Sequence, residues 1–463
     1  MANLERTMFR EYDLRGRVND EELNEKTVRI LGKAYGTMLR QRDIKSAVVG
    51  HDYRKSSDSL TQAAIEGLIS TGVSATSLGM VLTPMMYSAQ YHYETEGGLM
   101  VTASHNPSGW SGMKMALGYS YTFGPEEMEE LYQLTVSEDF FSGKGTVQAD
   151  DFTEHYTADL LKRVKMTRPM KVVVNTGNGT AGAFVPAILR KAGCEVVELY
   201  CNLDWDFPVY FPNPSVVEMM EDTGQKVVET DADMGLAIDG DGDRLGVTDE
   251  QGQVVWPDRF LILLSRQILE KHPGSKIIFD VKCSQALPED IEAHGGIPIM
   301  WKTGHSYIKK KVQEEQAALG GEMSGHIFVS QPEYYGFDDS VFAALKLIEY
   351  LSQQTQTISE VIANTPYYVS TPALQVDCAD EVKYDVVERL TQEFKADGYD
   401  VNDINGARVN FGDGWGLVRA SSNLPVLVLR FEAKTQERVN EIMALFRKKF
   451  SKYPEIGKKW ESG

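Results

Sequence analysis

Short apolar runs that end in polar loops recur along the chain. Gly97-Gly98-Leu99-Met100-Val101 gives way to Thr102-Ala103-Ser104-His105-Asn106-Pro107, and Met234-Gly235-Leu236-Ala237-Ile238 gives way to Asp239-Gly240-Asp241-Gly242-Asp243-Arg244. Unbroken apolar runs of this length predict short buried strands. Three β-branched segments, Ala47-Val48-Val49-Gly50, Val172-Val173-Val174-Asn175 and Ile277-Ile278-Phe279-Asp280, are each followed by a turn and a helix-forming stretch. Each unit later delivers a second apolar strand ending in a polar loop, the third being Gly321-Glu322-Met323-Ser324-Gly325-His326. The spacing is irregular, so this is a loose internal repeat. Helices are predicted over 21–42 and 56–72, with a strand at 45–50 between them. Strands alternating with helices predict α/β layers with mixed, mainly parallel sheets, whose ligands gather at the carboxyl ends of the strands. After Pro366 the pattern changes. A strand at 374–378, a helix at 381–396, strands within 407–432 and a helix at 435–450 predict a separate α+β domain.

Two of the loops carry chemistry. Pro107 cannot continue a sheet ladder and pushes Asn106 away from helical dihedrals, so Ser104 is expected on a tight loop at a strand end. With His105 beside it and Lys114 further on, its hydroxyl suits a covalent nucleophile. The structural alternative is that Ser104 and Asn106 hydrogen-bond their own turn. In the second loop, Asp239, Asp241 and Asp243 fall at i, i+2 and i+4 and point the same way on an extended segment. Three like charges this close are tolerable mainly around a hard divalent cation, and Mg²⁺ would leave positions open for water or a phosphate oxygen. Arg244 suits a phosphate. A calcium loop starting at Asp239 would place Glu250 at its twelfth position. Arg244 stands where such a loop needs glycine, and the segment before it is strand-like.

Further polar loops follow. Asn175-Thr176-Gly177-Asn178-Gly179-Thr180 lacks both the Walker lysine and the Rossmann spacing, and predicts a strand-to-helix turn. Trp301-Lys302-Thr303-Gly304-His305-Ser306 opens a helix on which lysines 309–311 are expected to form a solvated face. Glu322 and Ser324 offer a carboxylate and a hydroxyl suited to paired sugar hydroxyls. Arg419-Ala420-Ser421-Ser422-Asn423-Leu424-Pro425 combines a guanidinium with hydroxyls, an amide and backbone N–H groups, a credible phosphate cradle.

Composition narrows the choice. The 463 residues suggest three or four domains. A net charge of −20 argues against nucleic acid or a membrane surface as partner. Cys194, Cys201, Cys283 and Cys378 show no metal-ligand spacing and suggest reduced, cytosolic thiols. No apolar run approaches the roughly 20 residues of a membrane span, and the N-terminus lacks a signal-peptide layout, so a cytoplasmic protein is expected.

Taken with Phe9-Arg10-Glu11-Tyr12-Asp13-Leu14-Arg15-Gly16, these motifs resemble the α-D-phosphohexomutase superfamily, in its bacterial phosphomannomutase/phosphoglucomutase branch. The resemblance runs from about Phe9 to about Glu432. It implies three related α/β domains and a C-terminal α+β domain around a central cleft, expected at 1–150, 151–252, 253–366 and 367–463. It implies an isomerase that moves phosphate between C1 and C6 of mannose or glucose through a phosphoserine at Ser104 and a hexose 1,6-bisphosphate. Mg²⁺ would be held by Ser104, Asp239, Asp241 and Asp243, with Arg244 beside it. Tyr12 and Arg15 would line the cleft, and Lys282 and His305 would face the sugar phosphate. Glu322 and Ser324 would grip two sugar hydroxyls, with His326 on the same loop. The Met323 form of that loop points to the branch handling both mannose and glucose phosphates. Arg419, Ser421, Ser422 and Asn423 would hold the distal phosphate, Ser422-Asn423 standing where the family often has Asn-Thr. Lys114 is the expected general base, its pKa lowered by burial or by cations such as Arg15, with His105 or His326 as alternatives. A mobile fourth domain would close the cleft. Hexose phosphates are the expected partners, and a monomer or homodimer is the expected state.

Three rival readings differ in what they leave idle. A Mg²⁺-dependent sugar-phosphate phosphatase using the Asp-x-Asp pair directly explains the metal and Arg244, but not Ser104, the Glu322 loop or the Arg419 loop. A non-catalytic sugar-phosphate binder has no need of three carboxylates facing a serine. A phosphoglucosamine mutase would keep the machinery and change the sugar.

Overall fold

Every residue of the strand Gly97–Val101 is buried, as its unbroken apolar run requires. The computed structural model describes residues 4–422 and 424–462. The strand lies parallel to Ser46–His51 and antiparallel to Trp110–Leu117. The first sheet has six strands, in the order Leu14–Arg17, Trp110–Leu117, Gly97–Val101, Ser46–His51, Ser74–Met80, Val147–Ala149. A second sheet of five orders Val254–Val255, Leu245–Thr248, Met234–Ile238, Lys171–Asn175 and Glu195–Leu199. A third of four orders Ile297–Trp301, Lys276–Asp280, Leu319–Gly321 and Ile327–Val329.

The repeat read from the sequence is a repeat of topology. In each sheet, parallel strands build the centre. The last of them delivers the polar loop, and the chain then turns back as an antiparallel partner of that same strand. Gly97–Val101 pairs with Trp110–Leu117, Met234–Ile238 with Leu245–Thr248, and Leu319–Gly321 with Ile327–Val329.

Local chemistry sets the helix ends. The helix predicted over 21–42 runs Glu25–Gln41, because the Asn24 side chain accepts from the Lys26 and Thr27 amides and fixes the first turn there. The glycine-rich stretch at 175–180 is the strand-to-helix turn expected of it, between Lys171–Asn175 and the short 3₁₀ turn Thr180–Ala183. One expectation fails. Lys309 is buried, 2.8 Å from Asp338 and 4.0 Å from the centre of the Tyr87 ring, so the lysines 309–311 do not form a solvated face. Only a compensating charge and a cation–π contact make such burial tolerable.

The second and third sheets share one continuous core with the helix Thr83–His92, through Leu82, Met85 and Met86. The first sheet has its own core with Val28, Leu31, Tyr35 and Met38 of the first helix. The fourth sheet is antiparallel and seven-stranded, backed by the helices Lys383–Ala396 and Gln436–Phe450 around a separate core. It adds Val369–Ser370, Asp400–Asn402 and Glu461–Ser462 to the strands predicted. Among the described residues, no helix is long and apolar enough to cross a membrane.

Candidate active site

The loop 102–109 is held from below by two residues that follow the neighbouring strand. The Arg54 guanidinium donates to the carbonyls of Ser104 and Asn106, both at 2.7 Å, and of Pro107 at 2.9 Å. Its Nε donates to Asp52 at 3.1 Å. Asp52 in turn accepts from the Thr102 hydroxyl at 2.8 Å and the Ala103 amide at 3.2 Å. These contacts hold Ser104 at a φ of 50°, a left-handed backbone that costs a non-glycine residue on the order of 1 kcal/mol.

So held, the Ser104 hydroxyl donates to Asp239 Oδ2 at 2.8 Å and lies 3.0 Å from His105 Nδ1. Asp239 follows a strand of the second sheet. Its other oxygen accepts three amides of its own loop, from Gly242, Asp243 and Arg244, at 3.0, 3.0 and 3.1 Å. The loops touch at Gly240, where an added Cβ would come 2.3 Å from the Ser104 carbonyl oxygen. Only glycine fits there.

Asp239, Asp241 and Asp243 are fully buried, with carboxylate oxygens all within 4.8 Å of one another. Asp241 accepts from the Thr83 hydroxyl at 2.6 Å and from Lys114 Nζ at 2.8 Å, and Lys114 also pairs with Asp243. Among the described residues, one oxygen each of Asp241 and Asp243 is buried without a hydrogen-bond partner. Burial and the neighbouring Asp243 and Asp241 push Asp239 well above the usual carboxylate range. Burial acts the same way on Asp241 and Asp243, but Lys114 together with Thr83 at Asp241, and with His326 and Arg244 at Asp243, offsets it and both end lower than usual. Orphaned buried anionic oxygens converging from one loop fit a hard divalent cation.

Lys114 departs from expectation. Burial alone would lower its pKa, but Asp241 and Asp243 overcome that and raise it. Arg15 acts in the expected direction and is too weak to decide the outcome. Arg15 donates to the Thr102 carbonyl at 2.5 Å and pairs with Asp13 at 2.8 Å. His105 is pushed well below its ordinary value, by burial first and then by Arg244 and Arg15, so its ring is neutral.

Arg244 leads from the second sheet to the third. Its Nε donates to His326 Nε2 at 3.0 Å, which leaves the imidazole proton on Nδ1, 3.0 Å from Asp338. The rings of His326 and His305 lie 5.3 Å apart, and Tyr12 meets His305 edge-on at 4.7 Å. Both ring nitrogens of His305 are buried without a hydrogen-bond partner among the described residues, Nδ1 lying 3.9 Å from Asp338, and burial pushes its pKa well down. Glu322 is buried and accepts the Gly304 amide at 2.5 Å, just ahead of His305. Lys282 sits 3.4 Å from Asp280, and Ser324 is half-buried on the Glu322 loop.

The fourth sheet supplies the last group. Arg419 is buried and its Nε donates to Asn405 at 2.9 Å. The loop beyond it is held by Lys383, which donates to the carbonyls of Ser421 and, at 3.0 Å, Leu424. The Ser421 hydroxyl accepts the Leu424 amide at 3.2 Å, and Ser422 is half-buried. Asn423 lies outside the described residues.

The structure thus gathers Ser104, His105, Lys114, Arg15, Asp239, Asp241, Asp243, Arg244, His326, His305 and Tyr12 around one buried junction of three sheets. Glu322, Ser324 and Lys282 lie on its third-sheet side, and Arg419 with its loop on the fourth. Arg54, Asp52, Thr83, Asp338, Lys383 and Asn405 also build this region and carry no motif of their own. Their only sequence signal is that each is polar where its segment turns inward.

The chain matches all four models of the phosphoglucomutase/phosphomannomutase domains: alpha/beta/alpha domain I over residues 6–142, II over 150–252, III over 256–368 and the C-terminal domain over 374–449. It is 40% identical to the phosphomannomutase/phosphoglucomutase of Pseudomonas aeruginosa, over 95% of each chain. It is 37% identical to the phosphoglucomutase of Neisseria gonorrhoeae, over 98% of this chain and 99% of that one. A crystal structure of a phosphoglucomutase/phosphomannomutase family protein from Burkholderia thailandensis superposes with a TM-score of 0.91 at 38% identity, covering 96% of this chain and 97% of that one. With four domain matches in order and relatives similar across almost their full length, this chain belongs to the phosphoglucomutase/phosphomannomutase family.

Proposed function

We propose that this protein is a phosphohexomutase that interconverts hexose 1-phosphate and hexose 6-phosphate, of mannose, glucose or both. The observation that carries the reading is the 2.8 Å bond from Ser104 to Asp239, made across two sheets beside two carboxylates with unpaired buried oxygens. A phosphatase using the aspartates alone has no use for a serine so elaborately placed.

Asp239, Asp241 and Asp243 would hold Mg²⁺, which supplies charge neutralisation at the phosphoryl group in flight. Ser104, carrying that phosphoryl, gives it to the free hydroxyl of the sugar phosphate. The Ser104 Oγ–P bond breaks, the sugar O–P bond forms, and the hydroxyl proton leaves to a nearby base. His105, neutral and 3.0 Å from the Ser104 hydroxyl, is the group placed to take it, and Lys114, Arg15 and Arg244 add positive charge beside the acceptor. The bisphosphate then turns over and its other phosphate returns to Ser104. That turn needs contacts which accept either end. Glu322 and Ser324 serve the sugar hydroxyls, with Tyr12, His305, His326 and Lys282 around them. Arg419, with Ser421 and Ser422, serves whichever phosphate is idle. Burial of Ser104 excludes water, which would otherwise hydrolyse the phosphoserine.

The test is mass spectrometry of Ser104 after incubation with glucose 1,6-bisphosphate, with product analysis separating isomerised sugar phosphate from free phosphate. A phosphate on Ser104 and isomerised product support the reading, and Ser104→Ala should lose nearly all turnover while still binding substrate. Release of free phosphate as the main product would favour the phosphatase instead.

A further inference from the structure

Asn405 sits on the turn between the strands Asp400–Asn402 and Ala407–Asn410 of the fourth sheet. Its side-chain oxygen accepts two hydrogen bonds from two different sheets. One comes from Arg419 Nε at 2.9 Å, and the other from the backbone amide of Thr303 at 3.2 Å. Both partners can only donate, so the amide oxygen must face them and the nitrogen must face away.

Each partner leads to a part of the cleft. Thr303 precedes Gly304, whose amide is held by Glu322, and His305, whose ring nitrogens are unpaired. The Thr303 hydroxyl also donates to Asp280 at 3.1 Å, on the strand that leads to Lys282. Arg419 is the buried cation of the distal phosphate loop. One carbonyl oxygen therefore joins the sugar side to the phosphate side.

Below Asn405 the same two sheets are anchored more heavily. Arg408 donates to the carbonyls of Val281 and Cys283 at 2.6 and 2.8 Å, and Arg430 to Asp258 at 3.0 Å. Ile404 packs on Val281, Trp415 and Leu417. The joint is held without Asn405, whose two bonds add alignment at the cleft edge.

We propose that Asn405 is a positioning residue for substrate capture: its amide oxygen fixes the Arg419 guanidinium and ties it to the 303–305 loop, so that phosphate end and sugar are gripped in register. The inference rests on the proposed role of Arg419 as the distal phosphate ligand. A bond to a charged partner is worth about a ten-fold change in affinity or more.

The experiment uses the full chain as wild type, Asn405→Ala, Asn405→Asp, Arg419→Ala and the Asn405→Ala/Arg419→Ala double variant. Dissociation constants for glucose 6-phosphate are measured by calorimetry, alongside KM and kcat for interconversion. Asn405→Ala should weaken binding and raise KM about ten-fold while kcat changes less. Asn405→Asp, which keeps the acceptor, should bind within about three-fold of wild type. The double variant should bind no worse than Arg419→Ala alone, because Asn405 acts through the arginine.

Three results would overturn the inference: unchanged affinity in Asn405→Ala, an Asn405→Asp variant as impaired as the alanine, or fully additive losses in the double variant. Should Asn405→Ala fold poorly, Asn405→Leu, of like size but without the acceptor, takes its place in the same comparisons. Binding without interconversion in the wild type would remove the mutase reading and leave this inference standing. A wild type that binds no sugar phosphate would remove both.

Discussion

Gly240 backs directly onto Ser104: a methyl group at Gly240 would stand 2.3 Å from the Ser104 carbonyl oxygen. Gly240→Ala must therefore push the loop of the second sheet away from the loop of the first. Misplacing a reacting group by about 1 Å costs about 100-fold in rate. Turnover should fall by roughly that factor while circular dichroism stays that of the native chain, since both sheets are untouched. Native turnover would mean that the two loops need not touch to work.

The unpaired oxygens of Asp241 and Asp243 predict where a cation binds. Asp241→Asn keeps the shape and removes one charge. Calorimetric titration with Mg²⁺ should show affinity reduced by about ten-fold or more. An unaltered titration would place the metal elsewhere.

Arg54 satisfies three loop carbonyls and Asp52 from one buried guanidinium. Arg54→Met takes the guanidinium donor from the Ser104 and Asn106 carbonyls and leaves the Asp52 carboxylate without its cation, and removing one partner of a buried ion pair costs about 3–5 kcal/mol. The denaturant midpoint should drop accordingly. Arg54→Lys, with charge but without the fork, should recover only part of it. A methionine variant as stable as wild type would show that the 102–109 loop supports itself.

Asp339 caps the helix Ser340–Ser352 and accepts from Tyr156 and Tyr334 at 2.9 and 2.8 Å. Burial raises its pKa to about 6, against the pull of the hydrogen bonds it accepts. The folded chain thus holds a proton that the unfolded chain gives up near pH 4. This contribution is complete below the unfolded value and is lost as pH rises through about 6, by about 3 kcal/mol in all. In Asp339→Asn this decline between about pH 4 and 6 should flatten, as read from melting temperatures. An identical pH profile in the two proteins would mean that Asp339 does not titrate there.

Sequence was most informative where an apolar run met a polar loop. Such a boundary marks a strand end, and the strand ends are where Ser104, Asp239 and Glu322 stand. It was least informative where a residue takes its meaning from across the fold. Lys309 looks like one of three solvated lysines, but its neighbours Ile308 and Val312 are buried and its partner Asp338 comes from another segment. Arg54 and Asn405 occupy turns with no motif, and only packing shows what they hold. Lys114 was legible as a neighbour of the Ser104 loop. Its protonation was not, because two carboxylates from another sheet settle it.

In all three α/β sheets the strand entering a functional loop and the strand leaving it are zipped to each other. An extra residue inside such a loop would have to slide one strand past the other and turn its buried face outward. Away from tight contacts such as Gly240, these loops are thus more open to change in side chain than in length. One scaffold can present a nucleophile, a metal cage and a sugar clamp in turn, and new chemistry has to arrive by substitution.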